Sequence, residues 1–140
     1  MTEEPSHLVS CSAYAIAPDG RVLLVRTEKR PETWELPGGK IEEGEPLLDG
    51  FVREVIEETG IRISPLGVAT VQHLLPRDKV FIVFRANAEA GDPIPQRGEI
   101  LEASFFDPSD LDRLITHPYV LEAARRAQSG VMVPFTGWSV

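Results

Sequence analysis

Residues 46–59 constrain this chain more than any other stretch, because they read as a helix with two unlike faces. At about 100° per residue, Leu47, Leu48, Phe51, Val52, Val55 and Ile56 form one apolar stripe. Glu54, Glu57 and Glu58 stand at i, i+3 and i+4, so their carboxylates project together beside that stripe. Gly60 follows as a C-terminal cap. Such a helix must lay its stripe on a sheet or another helix and leave the acids at the margin of the contact.

Like charges at this spacing repel and destabilise an isolated helix. Three glutamates alone read better as a solvated acidic face; the missing cations tip the balance the other way. Residues 39–61 hold seven acids against Lys40 and Arg53, most of the chain's formal charge of -8. Hard oxygen ligands crowded in this way suit Mg²⁺ or Mn²⁺, with water and phosphate completing the shell. The negative bulk charge argues against a nucleic-acid duplex as partner. A small anionic substrate needs the acids masked, and a divalent cation does that.

The rest of the chain supplies strands and two further helical segments. Residues 9–16 and 21–26 read as a hairpin across Pro18-Asp19-Gly20. Residues 27–33 form a charged loop leading to Trp34-Glu35-Leu36-Pro37-Gly38-Gly39, whose glycines read as a turn that lets backbone approach a ligand. Residues 61–75 form a strand interrupted at Pro65 and Gly67. The apolar run Val80-Phe81-Ile82-Val83-Phe84 predicts a central strand buried on both faces. A Gly/Pro-rich loop, 90–98, precedes a last strand at 100–106. Asp107-Pro108 starts a short helix as cap and first position. Residues 116–128 form another, with Val120, Leu121, Ala124 and Ala127 on one stripe. Mixed strands and few helices predict an α/β sheet flanked by helices.

The spacing Gly39-(five residues)-Glu45-(seven residues)-Arg53-Glu54-Val55-Ile56-Glu57-Glu58-Thr59-Gly60-Ile61 resembles the complete Nudix box, with every fixed position filled. The flanking Trp34-x-x-Pro37-Gly38-Gly39, Glu99-Ile100 and Phe105-Phe106-Asp107 are also similar to the family, so the resemblance covers residues 9–114. It implies an α/β/α sandwich around a mixed sheet and hydrolysis of a nucleoside diphosphate linked to another moiety. By matching positions it implies Glu54, Glu57 and Glu58 as metal ligands, assisted by the Gly38 carbonyl, with Mg²⁺ or Mn²⁺ as cofactor. Arg53 and Glu45 would be an ion pair joining loop to helix, and Gly39 would face substrate. Gly50-Phe51 departs from family usage, since two small residues are frequent there. A glycine inside the helix costs about 1 kcal/mol relative to alanine, and no chemical position is expected to feel it.

Outside the box, Arg26 is a candidate for substrate phosphate, against a plain strand-end charge. Glu99 is the preferred general base and Glu102 the alternative, in a region where the family often places a base or extra ligand. Trp34 is expected to pack rather than stack on a base. His73, Arg77 and Lys79 surround a turn and read as solvated, with substrate contact the rival. His7 and His117 carry no expected role. No HExxH, Cys–His zinc spacing or serine elbow competes.

Two other classes stay open: a non-catalytic nucleotide-binding or regulatory Nudix-fold domain, and an isomerase on the same scaffold. The intact glutamate set opposes the first. Length fits a single domain over 1–140, with residues 1–6 frayed. Cys11 is the only cysteine, which suits a reducing cytosol. Residues 8–17 are apolar and end in Ala15-Ile16-Ala17. Glu3 and Glu4 nevertheless precede them where a secretory signal carries positive charge. No stretch is long enough to span a bilayer, so the expected compartment is the cytoplasm and no membrane is a partner. The apolar tail, 131–140, can pack on the domain or on a second subunit, which makes a homodimer compatible.

Overall fold

The computed structural model describes residues 4–76 and 78–140; the expectations placed on residues 1–3 and on Arg77 fall outside them. In chain order the elements are β1 (Leu8–Ile16), β2 (Val22–Thr27), β3 (Gly38–Lys40), α1 (Leu47–Thr59), β4 (Ile63–Leu74), β5 (Lys79–Ala88), β6 (Ile100–Phe106), α2 (Leu111–Leu114) and α3 (Pro118–Gln128). A 3-10 turn, Pro108–Asp110, leads into α2, with the Asp107 carboxylate accepting the Ser109 N–H as its cap. The six strands form one sheet in the order β4-β5-β1-β2-β6, with β3 added on β1. The β1–β5 pair is parallel and the other pairings are antiparallel, so the sheet is mixed.

Strand alternation divides the apolar side chains between two cores. Cys11, Ala13, Ala15, Leu23 and Phe84 face α1, where Phe51 and Val55 are fully buried. The Phe51 and Phe84 rings stack with centroids 4.9 Å apart. Tyr14, Val22, Leu24, Phe81 and Val83 face the opposite layer, built from α2 and α3. β5 therefore feeds both cores, as its unbroken apolar run predicts. The small residues of β1 let α1 approach the sheet closely. Gly60 closes α1 in the left-handed conformation, its N–H donating to the Ile56 carbonyl.

Two expectations need correction. Residues 9–16 and 21–26 meet as a hairpin only at its base, where Ile16 opposes Val22. Beyond that point β2 leaves β1 and pairs along its length with β6. The vacated edge of β1 is taken by Gly38–Lys40, which is a strand opposite Ser10, Cys11 and Ser12 rather than a turn. Physically, β3 closes the β1 ladder, and the fork between β2 and β3 opens the sheet at its middle.

The tail packs on its own chain: Val133 pairs with Val68, and Phe135 lies 5.6 Å from the Phe84 ring between centroids. Trp138 stays exposed. Among the described residues no helix is long and apolar enough to cross a membrane.

Burial of Cys11 has a measurable consequence. Its side chain is fully enclosed, and burial pushes the thiol up to about 12. The thiolate is the reactive form, so the folded protein holds on the order of a thousandfold less of it than a free cysteine would. Titration with a disulfide reagent is expected to label Cys11 rapidly in denaturant and barely at all in buffer. Equal rates would show that the sheet opens at β1.

Candidate active site

The fork between β2 and β3 opens into a cavity of about 670 Å³. Ser10 and Ser12 of β1, Thr27 of β2, Gly38 to Lys40 of β3, and Phe81 of β5 line it. Glu54 and Glu58 enter from α1, Tyr119 and Val120 from α3, so both helix layers contribute. Its volume lies in the range of small-molecule sites, about 300–1,000 Å³.

The box residues meet here through backbone as much as side chain. Glu58 is almost buried and accepts the Gly38 N–H at 2.8 Å, so α1 and β3 are tied at this point. Gly38 has φ +150°, and a Cβ on it would lie 2.1 Å from the Cys11 carbonyl oxygen and 2.6 Å from Ser12 Cα. A Cβ on Gly39 would lie 2.9 Å from a Glu54 carboxylate oxygen. The two glycines thus let β3 lie against β1 on one side and receive the glutamates on the other.

Burial pushes the Glu58 carboxyl up to about 8; the Gly38 N–H acts the other way, and the nearby Glu54, Glu99 and Glu35 charges reinforce the rise. Glu54 is also raised, by burial first; Arg53 opposes the rise, while Glu57, Glu99 and Glu45 add to it. The loop 90–98 brings Glu99 to this cluster by docking on the end of α1. The Ile94 N–H donates to the Thr59 carbonyl at 2.8 Å and the Gln96 N–H to the Glu58 carbonyl at 3.0 Å. Glu99 lines the cavity and its side chain is exposed.

Glu57 stands apart from Glu54 and Glu58. Its carboxylate accepts from Arg53 at 3.0 Å and it is absent from the cavity wall. The helical angle explains this: Glu57 lies about 100° around α1 from Glu58. Arg53 also forks onto Glu45, with Nε at 2.9 Å and Nη2 at 3.1 Å from its two oxygens. Glu45 in turn accepts the Glu42 N–H at 3.2 Å, so the pair ties the loop before α1 to the helix.

Gly50 touches this pair, contrary to expectation. A Cβ there would lie 2.4 Å from a Glu45 carboxylate oxygen, so the bare helix backbone at Gly50 is the floor on which Glu45 rests.

Arg26 is held outside the cavity, donating to Glu102 directly opposite on β6 and, at 3.1 Å, to the Pro31 carbonyl. Glu102 does not line the cavity either. Trp34 packs edge-on against Phe106 at 4.7 Å in the second core. Lys79 lines the cavity, whereas His73 and His117 do not.

Several lining residues carry no sequence signal that singles them out. Glu35 is buried and held by Arg30 at 2.9 Å and by the Thr27 hydroxyl at 3.3 Å. Lys29, Arg30 and Lys40 join Lys79, for which the sequence already offered substrate contact, to place four cations around the same space. Only the fold assembles these from β2, β3, β5 and the loop between.

The donor set suits a hard divalent cation: the lining contains several carboxylates and neither thiol nor imidazole. Burial first, and the neighbouring carboxylates second, raise the Glu54 and Glu58 carboxyls, and a bound cation would favour their charged forms.

The mixed sheet, the acidic helix and the glycine strand fit the family that the sequence motif resembles, and the comparisons with known proteins agree. The NUDIX domain model matches residues 6–126. A MutT-like protein of Streptomyces ambofaciens is 33% identical over 120 residues, 86% of this chain and 77% of that one. The NAD-capped RNA hydrolase NudC of Deinococcus radiodurans is 33% identical over 110 residues, 78% of this chain but only 38% of that protein's length. Among solved structures, the MutT NUDIX hydrolase of Burkholderia pseudomallei superposes with TM-score 0.73 at 30% identity, covering 87% of this chain and 98% of that one. A NUDIX hydrolase from Nitrosomonas europaea, 24% identical, shares the fold with TM-score 0.80, covering 96% of this chain and 78% of that one. The chain belongs to the Nudix hydrolase family, enzymes acting on pyrophosphate bonds.

Proposed function

We propose that this protein, working as one domain, is a metal-dependent pyrophosphohydrolase that cleaves the diphosphate of a nucleoside diphosphate linked to another moiety. The observation that carries the reading is the convergence of Glu54, Glu58 and Glu99 on one cavity beside Gly38 and Gly39. Glu54 and Glu58, with the Gly38 carbonyl, would hold Mg²⁺ or Mn²⁺, and Glu57 would join them by turning away from Arg53. When bound, such an ion neutralises the phosphates and lowers the pKa of an attacking water.

The chain's own residues do the rest. The Gly38 N–H orients the Glu58 carboxylate, and the Arg53–Glu45 fork fixes the loop that leads into α1. The cations at the rim offset the acids, so an anionic substrate is not turned away at the entrance. Glu99, exposed beside the cluster and without an ion-pair partner among the described residues, would take the proton of the attacking water. MutT-like and NudC relatives support a nucleotide-type substrate.

A nucleotide panel assayed with Mg²⁺ and Mn²⁺, with products identified by mass, tests the reading. Hydrolysis is expected to vanish on chelation and to return with either ion. Full activity after exhaustive chelation, or no hydrolysis of any diphosphate compound, would overturn it.

Glu99→Gln is expected to lower turnover by at least about tenfold, at or below the usual general-base contribution of about 10²–10⁴-fold. Glu102→Gln should lower it much less, because Glu102 serves Arg26. A slow Glu102 variant beside a normal Glu99 variant would exchange their roles.

A further inference from the structure

Two of the chain's three histidines converge at one end of the sheet, and neither they nor Asp78 line the glutamate cavity. His7 precedes β1, His73 lies near the end of β4, and Asp78 closes the turn before β5. These three strands are neighbours, and the register sets Leu8 opposite Lys79 and His73 opposite Val80. One ligand atom from each of His7, His73 and Asp78 falls within 4.8 Å of the others. His73 Nε2 is 3.5 Å from an Asp78 carboxylate oxygen, and the two imidazole rings stand 5.5 Å apart at 60°. Asp78 sits at φ +50°, a conformation that aspartate tolerates better than most residues.

We propose that His7, His73 and Asp78 form a second metal site, for a divalent transition ion of the Zn²⁺ type. Two neutral imidazoles and one carboxylate are a borderline donor set that favours Zn²⁺, Ni²⁺ or Cu²⁺ over Mg²⁺. The all-oxygen cluster at Glu54 and Glu58 has the opposite preference. Ligand atoms of tetrahedral zinc stand about 3.3 Å apart, so no pair need close by more than roughly 1.5 Å. All three side chains are exposed and have room to rotate by that much. Water would fill the remaining position. A bound ion would staple the segment entering β1 to the β4–β5 turn, and binding only to the folded state would raise the melting temperature.

The test uses untagged protein in excess Mg²⁺, which satisfies the glutamate site. Zn²⁺ is titrated by calorimetry into the parent and into His7→Ala, His73→Ala and His117→Ala. The parent is expected to bind one equivalent. Each of the first two substitutions should weaken binding by at least about tenfold, as loss of a ligand should cost no less than loss of an outer-shell partner. His117→Ala, whose ring faces Glu32, should match the parent. Zn²⁺ should raise the melting temperature of the parent and of His117→Ala only. Cu²⁺ in place of Zn²⁺ should show two nitrogen couplings by electron paramagnetic resonance. An absent isotherm, or one that His7→Ala and His73→Ala leave unchanged, would overturn the site; neither outcome touches hydrolysis at the glutamates.

Discussion

Replacing Glu58 by Gln is expected to cut turnover by at least about 100-fold, the upper end of what losing an outer-shell metal partner costs. The fold should survive. Gln keeps an oxygen that accepts the Gly38 N–H, now 2.8 Å from Glu58. The metal-free variant should even gain stability over the parent, increasingly as pH rises from about 4.5 to about 8. The carboxyl titrates ordinarily near 4.5 and in the fold near 8. Below 4.5 both folded and unfolded chains hold the proton, and the residue costs nothing. From there up to about 8 the unfolded chain ionises while the folded one resists, so stability drains away as pH rises. Gln cannot ionise and removes that loss. Melting curves with chelator at pH 4 and pH 8, beside kcat with metal, measure both halves. A variant that turns over normally would remove Glu58 from the reaction. One that melts below the parent at pH 8 would show that its carboxylate stabilises the bare fold.

Gly38→Ala should have the largest effect on folding. The new methyl would meet backbone, not a movable side-chain end: the Cys11 carbonyl at 2.1 Å and Ser12 Cα at 2.6 Å. Either β3 leaves β1 or the ladder shifts, and φ +150° is itself hostile to a side chain. Overpacking and backbone strain together cost at least about 3 kcal/mol. The melting temperature should fall by about 10 °C or more. Activity should fall with it, since the same strand presents Gly38 N–H to Glu58. A melting curve within experimental error of the parent's would mean that β3 is loosely held. By contrast, Gly39→Ala meets only the Glu54 carboxylate, which can move, so its effect should fall on activity more than on stability.

The difference between these two glycines shows where sequence reading stops. Both occupy a Gly-Gly pair before an acidic helix, and by spacing alone they form a turn. Their separate duties depend on β2 turning aside to β6 and leaving β1 an open edge for β3. That choice is set by long-range pairing, which local pattern does not encode. Gly50 teaches the same lesson. It reads as a helix defect of about 1 kcal/mol, and in the fold it makes room for the carboxylate that grips Arg53.

Local pattern alone placed the amphipathic helix and the acidic cluster, which recur at helical spacing, and the two-sided strand at Val80 to Phe84, which is an unbroken apolar run. The spacing from Gly39 to Ile61 was enough to identify the family. Tertiary structure decided which acids lie together. Glu54, Glu58 and Glu99 line one cavity, where the 90–98 loop docks on the end of α1, while Glu57 and Glu102 do not line it. Glu35, Arg30 and the histidines beside Asp78 belong to the same category. Their partners lie on other strands, and only the closing of the sheet brings those charges within reach of one another.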